Sequence, residues 1–272
     1  MADIIAVNYS RDAGWAGGLT VEICCGALST AIVTFNYDLR PEIGVYRISL
    51  SDDIFRKVIA DLQHSGYDRL PIPTEVPPEA KFVVVGERRQ DEALPILRPF
   101  DIRTVPPAVV ALGQEIEKVA EEIRRHPSRV IQGSASWTQP VFDPRQPLGV
   151  RLSLRNAGVL PLTLGNPIGA PMASWSGLRL LLRDAVGKEQ SVDLDPGHLQ
   201  APPETPRDPA PIVAPGAVMT MTVKKKVYLV PGRYLGRLSY YNVIDRPDDP
   251  QFVRGELCLD LGGVIVRPKG SR

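Results

Sequence analysis

The stretch LVPGRYLGRLSYYNV, residues 229–243, contains the clearest fold signal in the chain. A Pro-Gly pair stands two residues before Tyr234, and apolar side chains then recur at every second position. This pattern predicts a tight corner that leads into a β-strand with one buried and one exposed face. We expect Tyr234 to support that corner by bonding its hydroxyl group to nearby backbone, rather than to take part in catalysis.

Segments of the same kind fill the chain from residue 129 onward. Short aliphatic and aromatic runs are separated by turn residues, and no helical period extends over a useful length. In residues 149–156 apolar side chains alternate with polar ones, and Asn156 begins the turn that follows. These features predict an all-β, immunoglobulin-like sandwich over residues 129–268.

The first 127 residues mix strand and helix signals. Short β-branched and aromatic runs predict strands, and a Pro-rich connector precedes a further strand pair. Two segments have continuous apolar helical faces: one follows Ser51 and ends at Gly66, and the other begins at Pro106. We therefore expect an α+β domain over residues 1–127, with a mostly antiparallel sheet and two covering helices.

The two halves of the chain differ in charge. Residues 1–127 contain 14 Lys and Arg against 19 Asp and Glu, whereas residues 128–272 contain 18 against 12. Two halves of opposite net charge favour contact with each other or with a partner that has both a positive and a negative region. Neither half shows the clustered basic residues with interleaved aromatics that nucleic-acid binding proteins use. We therefore expect a protein partner and no nucleic acid.

Three features predict the compartment. The chain begins MADIIAVNYSRD, with acidic Asp3 where a secretory signal carries basic residues. No run approaches the roughly 18 apolar residues that a membrane span requires. The three cysteines include the adjacent Cys24 and Cys25, which are poorly placed to bridge each other, and leave Cys258 without an obvious mate. We expect a cytoplasmic bacterial protein that does not contact the membrane.

The common motifs of catalytic and metal sites are absent from the sequence. His64, His126 and His198 lie far apart, and there is no CxxC pair, GxSxG elbow, phosphate-binding loop or dinucleotide motif. We therefore predict that the chain is not an enzyme, has no catalytic residues and binds no metal or cofactor.

The C-terminal strands resemble those of the intracellular subtilisin-inhibitor family, a group of cytosolic immunoglobulin-like domains. Turn signals carry this resemblance: Asn156-x-Gly158, Gly187-Lys188, Pro215-Gly216 and Pro231-Gly232-x-Tyr234. The resemblance implies a sandwich fold and inhibition of a peptidase inside the cell.

The N-terminal half more loosely resembles emfourin, a small α/β inhibitor of thermolysin-like metallopeptidases. The turn GWAGGL before a strand, the helix start SDDIF and the later helix start VPPAVVAL carry this resemblance. About two extra strands, between Ser29 and Leu50, depart from that family's pattern. The resemblance again implies inhibition of a peptidase.

Loops supply the candidate binding residues. Residues 195–216 contain seven prolines, which favour an extended loop that inserts into a partner groove with little loss of conformational entropy. The alternative for this loop is an insertion that has no partner. The alternative for the two loop tryptophans, Trp15 and Trp175, is half-buried packing over the end of a core. The predicted binding residues are Trp15, Gly17, Gly18, Trp175, Pro202, Pro203, Pro206 and Pro209.

From these features we predict a non-enzymatic protein-binding module and, through the two resemblances, a peptidase inhibitor that acts by steric occlusion. One alternative is an adaptor or scaffold component of a larger protein assembly. A second alternative is an enzyme of unrecognised type with a site between the two predicted domains.

Overall fold

The computed structural model shows a mostly β chain with two helices and several sheets. Backbone contacts divide it into two compact units: residues 1–37 with 44–128, and residues 38–43 with 129–272. The domain bounds 1–127 and 129–268 remain a prediction. The structure describes residues 4–14, 17–24, 30–35, 37–38, 42–49, 52–70, 82–91, 94–166, 177–194, 210–242, 251–253 and 255–268.

An antiparallel sheet forms the first unit. Its strand order is β5-β3-β2-β1-β6-β7, and the neighbouring strands pair antiparallel, as the sequence predicts. In chain order, the elements up to residue 123 are β1 (Ile4–Gly14), β2 (Gly17–Cys24), β3 (Thr30–Phe35), β4 (Tyr37–Asp38), β5 (Glu42–Ser49), α1 (Asp52–Ser65), a short 3₁₀ turn (Tyr67–Arg69), β6 (Phe82–Arg89), β7 (Ile96–Asp101) and α2 (Pro107–Ile123).

Both helices follow the signals in the sequence. Helix α1 stops because Gly66 adopts a left-handed conformation with φ of 60°, which costs glycine little. Helix α2 begins after the extended Pro106, and Pro107 suits a first helical position because its missing N–H has no partner there. Six residues of α2 are buried along one face: Val109, Leu112, Gly113, Ile116, Ala120 and Ile123.

Two larger sheets and one two-stranded sheet lie within the described residues of the second unit. One has the order β15-β10-β8 and the other the order β13-β12-β16-β17, with β9 parallel to β17 and β11 paired with β14. The elements are β8 (Pro127–Trp137), β9 (Val141–Phe142), β10 (Leu148–Asn156), β11 (Leu162–Thr163), β12 (Gly177–Asp184), β13 (Glu189–Asp193), β14 (Ile212–Val213), β15 (Val218–Lys225), β16 (Gly232–Asn242) and β17 (Gly255–Val266).

Side chains from both of these sheets pack into one hydrophobic core. In β10 the predicted alternation is confirmed, because Val150, Leu152 and Leu154 are buried while Arg151 and Arg155 are exposed. The opposite sheet contributes residues of β12, β16 and β17 to the same cluster. Burial of apolar surface at about 25 cal/mol per Å² makes this core the main source of stability in the unit.

The side chain of Asn156 stabilises, through hydrogen bonds, the turn that the sequence predicts after β10. Its Oδ1 accepts a hydrogen bond of 2.9 Å from the Gly158 N–H, which closes the turn. Its Nδ2 donates to the carbonyl oxygens of Leu160 and Val213, both at 2.9 Å. The fully buried amide is therefore satisfied, as a buried polar group must be.

The described helices are all too short or too polar to cross a membrane. Cys258 is a half-buried thiol on β17. Cys25 and the side chain of Cys24 lie outside the described residues. The cytoplasmic location stays a prediction.

Candidate functional site

The second unit contains an open cleft of about 690 Å³, which we call the hairpin cleft. It is lined by the hairpin between β12 and β13, the start of β16 and the end of β17. The lining residues that matter below are Arg183, Val186, Arg233, Leu235, Gly263 and Ile265.

The β12–β13 hairpin is held in one shape by its own polar groups. Asp184 Oδ1 accepts hydrogen bonds from the N–H groups of Val186 at 3.0 Å and Lys188 at 2.8 Å. Gly187 adopts a left-handed conformation with φ of 87°, which side-chain-bearing residues rarely adopt. The turn therefore presents Val186 to solvent with 89% of its surface exposed.

Tyr234 supports the corner before β16, as the sequence predicts. Its hydroxyl group donates a 2.8 Å hydrogen bond to the carbonyl oxygen of Val230. Burial and, second, the nearby Asp184 carboxylate raise the pKa of Tyr234. The phenol therefore stays protonated and remains a donor at neutral pH.

We expect Tyr234→Phe to lower the free energy of unfolding by about 1 kcal/mol, because one hydrogen bond to the backbone is lost. Urea denaturation would measure the change. Tyr228→Phe is the matched control, since Tyr228 is 84% exposed. Equal stability of the two variants would show that the Tyr234 hydroxyl does not support the corner.

Large apolar side chains remain exposed around the hairpin cleft. Besides Val186, Leu235 is 61% exposed and Ile265 is 40% exposed. The space above Gly263 is open, because an added Cβ would contact only the Tyr234 carbonyl oxygen, at 4.0 Å. Apolar groups gathered at one concave site are typical of binding surfaces.

A bulge in β17 sets the direction of the strand end that lines the cleft. Gly262 has a φ of 68°, and the register between β16 and β17 shifts beside Gly236. The Trp137 indole Nε1–H donates to the Gly262 carbonyl oxygen at 3.3 Å. The segments GELCLDL and GGVIVR therefore form one continuous strand, and the bulge allows Gly263 and Ile265 to face the cleft.

A second polar cluster lies on the outward face of the same sheet. Arg179 Nε donates to Asp193 at 2.9 Å, and its guanidinium lies 5.6 Å from the centre of the Tyr241 ring. The Cys258 Sγ lies 3.6 Å from Glu256 Oε1. Burial, followed by the Glu256 charge, raises the pKa of Tyr241. The polar groups of this cluster therefore contact one another on the outward face.

Within the part of the chain that the structure describes, no group of three or more His, Cys, Asp or Glu side chains is placed to hold a metal ion. His64 and His126 are exposed, as the sequence suggests for surface residues. His198 lies outside the described residues.

Most of the binding residues predicted from the sequence lie outside the described residues. These are Trp15, Trp175, Pro202, Pro203, Pro206 and Pro209. Gly17 and Gly18 form the first residues of β2, where Gly17 pairs with Gly14 of β1.

Sequence reasoning missed the hairpin cleft. One signal was present: in the alternation of β16, Leu235 falls on the face opposite Leu238 and Tyr240, where a large apolar residue is out of place. Positions of this kind are candidates for contact with another molecule.

No protein-family model matches the chain, and no curated protein matches it. Similar solved structures include an ApaA candidate protein from Bordetella pertussis, with 13% identity and a TM-score of 0.27, covering 53% of this chain and 98% of that one. Another is the Pseudomonas fluorescens alkylpurine DNA glycosylase AlkC bound to DNA containing an abasic site analogue, with 10% identity and a TM-score of 0.26, covering 57% and 38%. A third is AvmM, which catalyses macrocyclisation in alchivemycin A biosynthesis, with 12% identity and a TM-score of 0.27, covering 52% and 91%.

Two of these similar structures are described as a DNA glycosylase and a macrocyclisation catalyst. The prediction that the chain is not an enzyme is wrong as a conclusion from missing motifs, because enzymes differ too widely in their residues for that inference. The similarities assign no reaction to this chain, and they name neither a subtilisin inhibitor nor emfourin.

Proposed function

We propose that this protein is a protein-binding module whose hairpin cleft receives an apolar side chain of its partner. The observation that supports this proposal is the exposure of Val186, Leu235 and Ile265 around one open cleft. A partner side chain that fills the cleft would remove these groups from water, and such buried anchors contribute most of the binding energy in protein interfaces.

The proposal includes the finer expectations from the sequence. In it, residues 129–268 are an immunoglobulin-like sandwich, residues 1–127 are a separate α+β domain, and the protein acts in the cytoplasm. The two resemblances make a peptidase the first partner to test, with inhibition by steric occlusion of the peptidase cleft. Rigid turns favour this mode of binding because little order is lost on association.

Filling the cleft tests the proposal without disturbing the core. We expect Gly263→Leu to place a side chain in the open space above Gly263 and to weaken peptide binding about 30-fold, as loss of an anchor pocket does. Gly177→Leu is the matched control, because Gly177 lies in the same sheet, does not line the cleft and has nothing within 4 Å of an added Cβ. The measurement is selection of a random peptide phage library on the intact protein, followed by affinity measurements on both variants.

The proposal fails if no selected peptide distinguishes Gly263→Leu from Gly177→Leu. The inhibitor version has its own assay, in which the purified protein is added to a subtilisin-like and a thermolysin-like peptidase. If neither activity falls, the peptidase is not the partner, although peptide binding in the cleft can still hold.

A further inference from the structure

Three arginines surround the exposed Leu235 on one face of the sheet. Arg183 of β12 lies directly across from Leu235 in the strand register. Arg233 and Arg237 stand two residues before and two residues after it on β16. Residues in these positions point to the same face, at separations of about 5 Å across strands and about 7 Å along one strand.

Two of the three carboxylates of the same region, those of Asp184 and Asp260, accept hydrogen bonds from the backbone. Asp184 binds the N–H groups of the hairpin, as described above. Asp260, opposite Arg237 in the register, accepts a 3.0 Å hydrogen bond from the Gly262 N–H. Glu189 lies opposite Arg183, but no ion pair joins them. These carboxylates keep their negative charges and equal the three arginines in number, but two of them are directed to the backbone by their hydrogen bonds, and none forms an ion pair with Arg183, Arg233 or Arg237 among the described residues.

The side chains of the three arginines, unlike two of these carboxylates, have no hydrogen-bonding or ion-pair partner among the described residues. Within the described residues, no ion pair or side-chain hydrogen bond involves Arg183, Arg233 or Arg237. Arg179, on the same strand as Arg183, shows the contrast because it pairs with Asp193 at 2.9 Å. Arg233 lies across from Ile265 rather than from an acid. An exposed apolar surface is thus bordered by guanidinium groups that form no ion pair with a carboxylate of the described residues.

We infer that the partner segment carries carboxylates on both sides of a large apolar residue. This inference rests on the proposed function of the hairpin cleft. The apolar side chain contacts Leu235 and Ile265, and its flanking carboxylates reach Arg183, Arg233 and Arg237. Paired guanidinium and carboxylate groups bind with fork-shaped geometry, which gives the interface its orientation.

The test uses fluorescein-labelled peptides with a shared Gly-Ser host and the central sequences Glu-Leu-Glu, Glu-Ala-Glu, Gln-Leu-Gln and Lys-Leu-Lys. Fluorescence anisotropy with the intact protein should give the tightest binding for Glu-Leu-Glu and about 10-fold weaker binding for Gln-Leu-Gln. We expect Arg233→Glu to weaken Glu-Leu-Glu binding by roughly 10-fold or more. Arg155→Glu, at an exposed arginine of β10, should leave it unchanged.

Two further measurements complete the experiment: the salt dependence of Glu-Leu-Glu binding and competition of that binding by DNA. Binding of Glu-Leu-Glu should weaken as salt rises, because the screening length falls from about 10 Å at 0.1 M to about 3 Å at 1 M. A short DNA duplex that competes as well as the acidic peptide would overturn the inference, since arginines that bind phosphate equally well do not select a carboxylate segment.

Failure of the inference and failure of the proposed function have different signatures. Selected peptides that bind the wild type and lose binding in Gly263→Leu, yet carry no carboxylates, would overturn the inference and leave the proposed function intact. Insensitivity of Glu-Leu-Glu binding to Arg233→Glu would do the same. The absence of any peptide sensitive to Gly263→Leu would remove both.

Discussion

Asn242→Ala is expected to lower the free energy of unfolding by about 3 to 5 kcal/mol, because it leaves several buried polar groups without partners. Asn242 is fully buried at the end of β16. Its Oδ1 accepts a 2.6 Å hydrogen bond from the Gly165 N–H, and its Nδ2 donates to the Val253 carbonyl oxygen. One side chain thus joins the end of β16 to a segment 77 positions away and to another 11 positions away in the sequence.

Tyr240 belongs to the same network. Its hydroxyl group donates to the Gly165 carbonyl oxygen at 2.6 Å and lies 2.9 Å from Asn242 Oδ1. Complete burial raises the pKa of Tyr240, so this hydroxyl group stays protonated across the physiological range. Because the two side chains share partners, Tyr240→Phe and Asn242→Ala should together cost less than the sum of their separate effects.

Urea denaturation followed by circular dichroism would measure these changes. Gln139→Ala is the matched control, since its amide makes one exposed hydrogen bond, to Gln146 at 3.2 Å, and its loss should cost no more than about 0.5 kcal/mol. If Asn242→Ala were as stable as Gln139→Ala, the amide would not be holding these segments together.

Gly236→Val is expected to destabilise the protein by about 2 to 4 kcal/mol through overpacking. An added Cβ at Gly236 would lie 2.2 Å from Trp137 Cζ2, far inside contact distance. The indole cannot retreat freely, because it donates to the Gly262 carbonyl oxygen and packs edge-to-face on Phe142, with ring centres 6.1 Å apart. The substitution must therefore displace the ring or the backbone of β16.

Gly177→Val separates this clash from the general effect of replacing a strand glycine. Nothing lies within 4 Å of a Cβ added at Gly177, and a β-branched residue suits a strand, so its stability should be unchanged or slightly raised. Trp137→Leu should partly relieve the clash, which makes the double variant with Gly236→Val less unstable than the two separate effects predict. Equal stability of Gly236→Val and Gly177→Val would contradict this account.

Local signals in the chain predicted several elements correctly. Gly66 ends α1, and α2 begins after Pro106, because these residues act on the backbone torsions of their immediate neighbours. The alternation of residues 149–156 predicted the buried face of β10 because side chains in a strand alternate between the two faces of a sheet. The corner at Tyr234 was also predicted, since its hydrogen bond spans only four residues.

The site could not be predicted in the same way. The hairpin cleft joins Val186 of the turn after β12, Leu235 of β16 and Ile265 of β17, which become neighbours only through the pairing of these strands. The sequence search instead favoured loops rich in Trp and Pro. The Trp and Pro positions were predicted from residue type alone, whereas the cleft is recognised by the solvent exposure of its apolar side chains.

By itself, the sequence determined where strands, helices and turns form, because the backbone preferences of Gly, Pro and alternating apolar residues act over a few neighbours. Only the tertiary structure decided that Trp137 packs on Gly236, that the Asn242 amide bonds to Gly165 and that Arg183 lies directly across from Leu235. These outcomes depend on strand register and on packing between residues about 100 positions apart, and no local pattern encodes them.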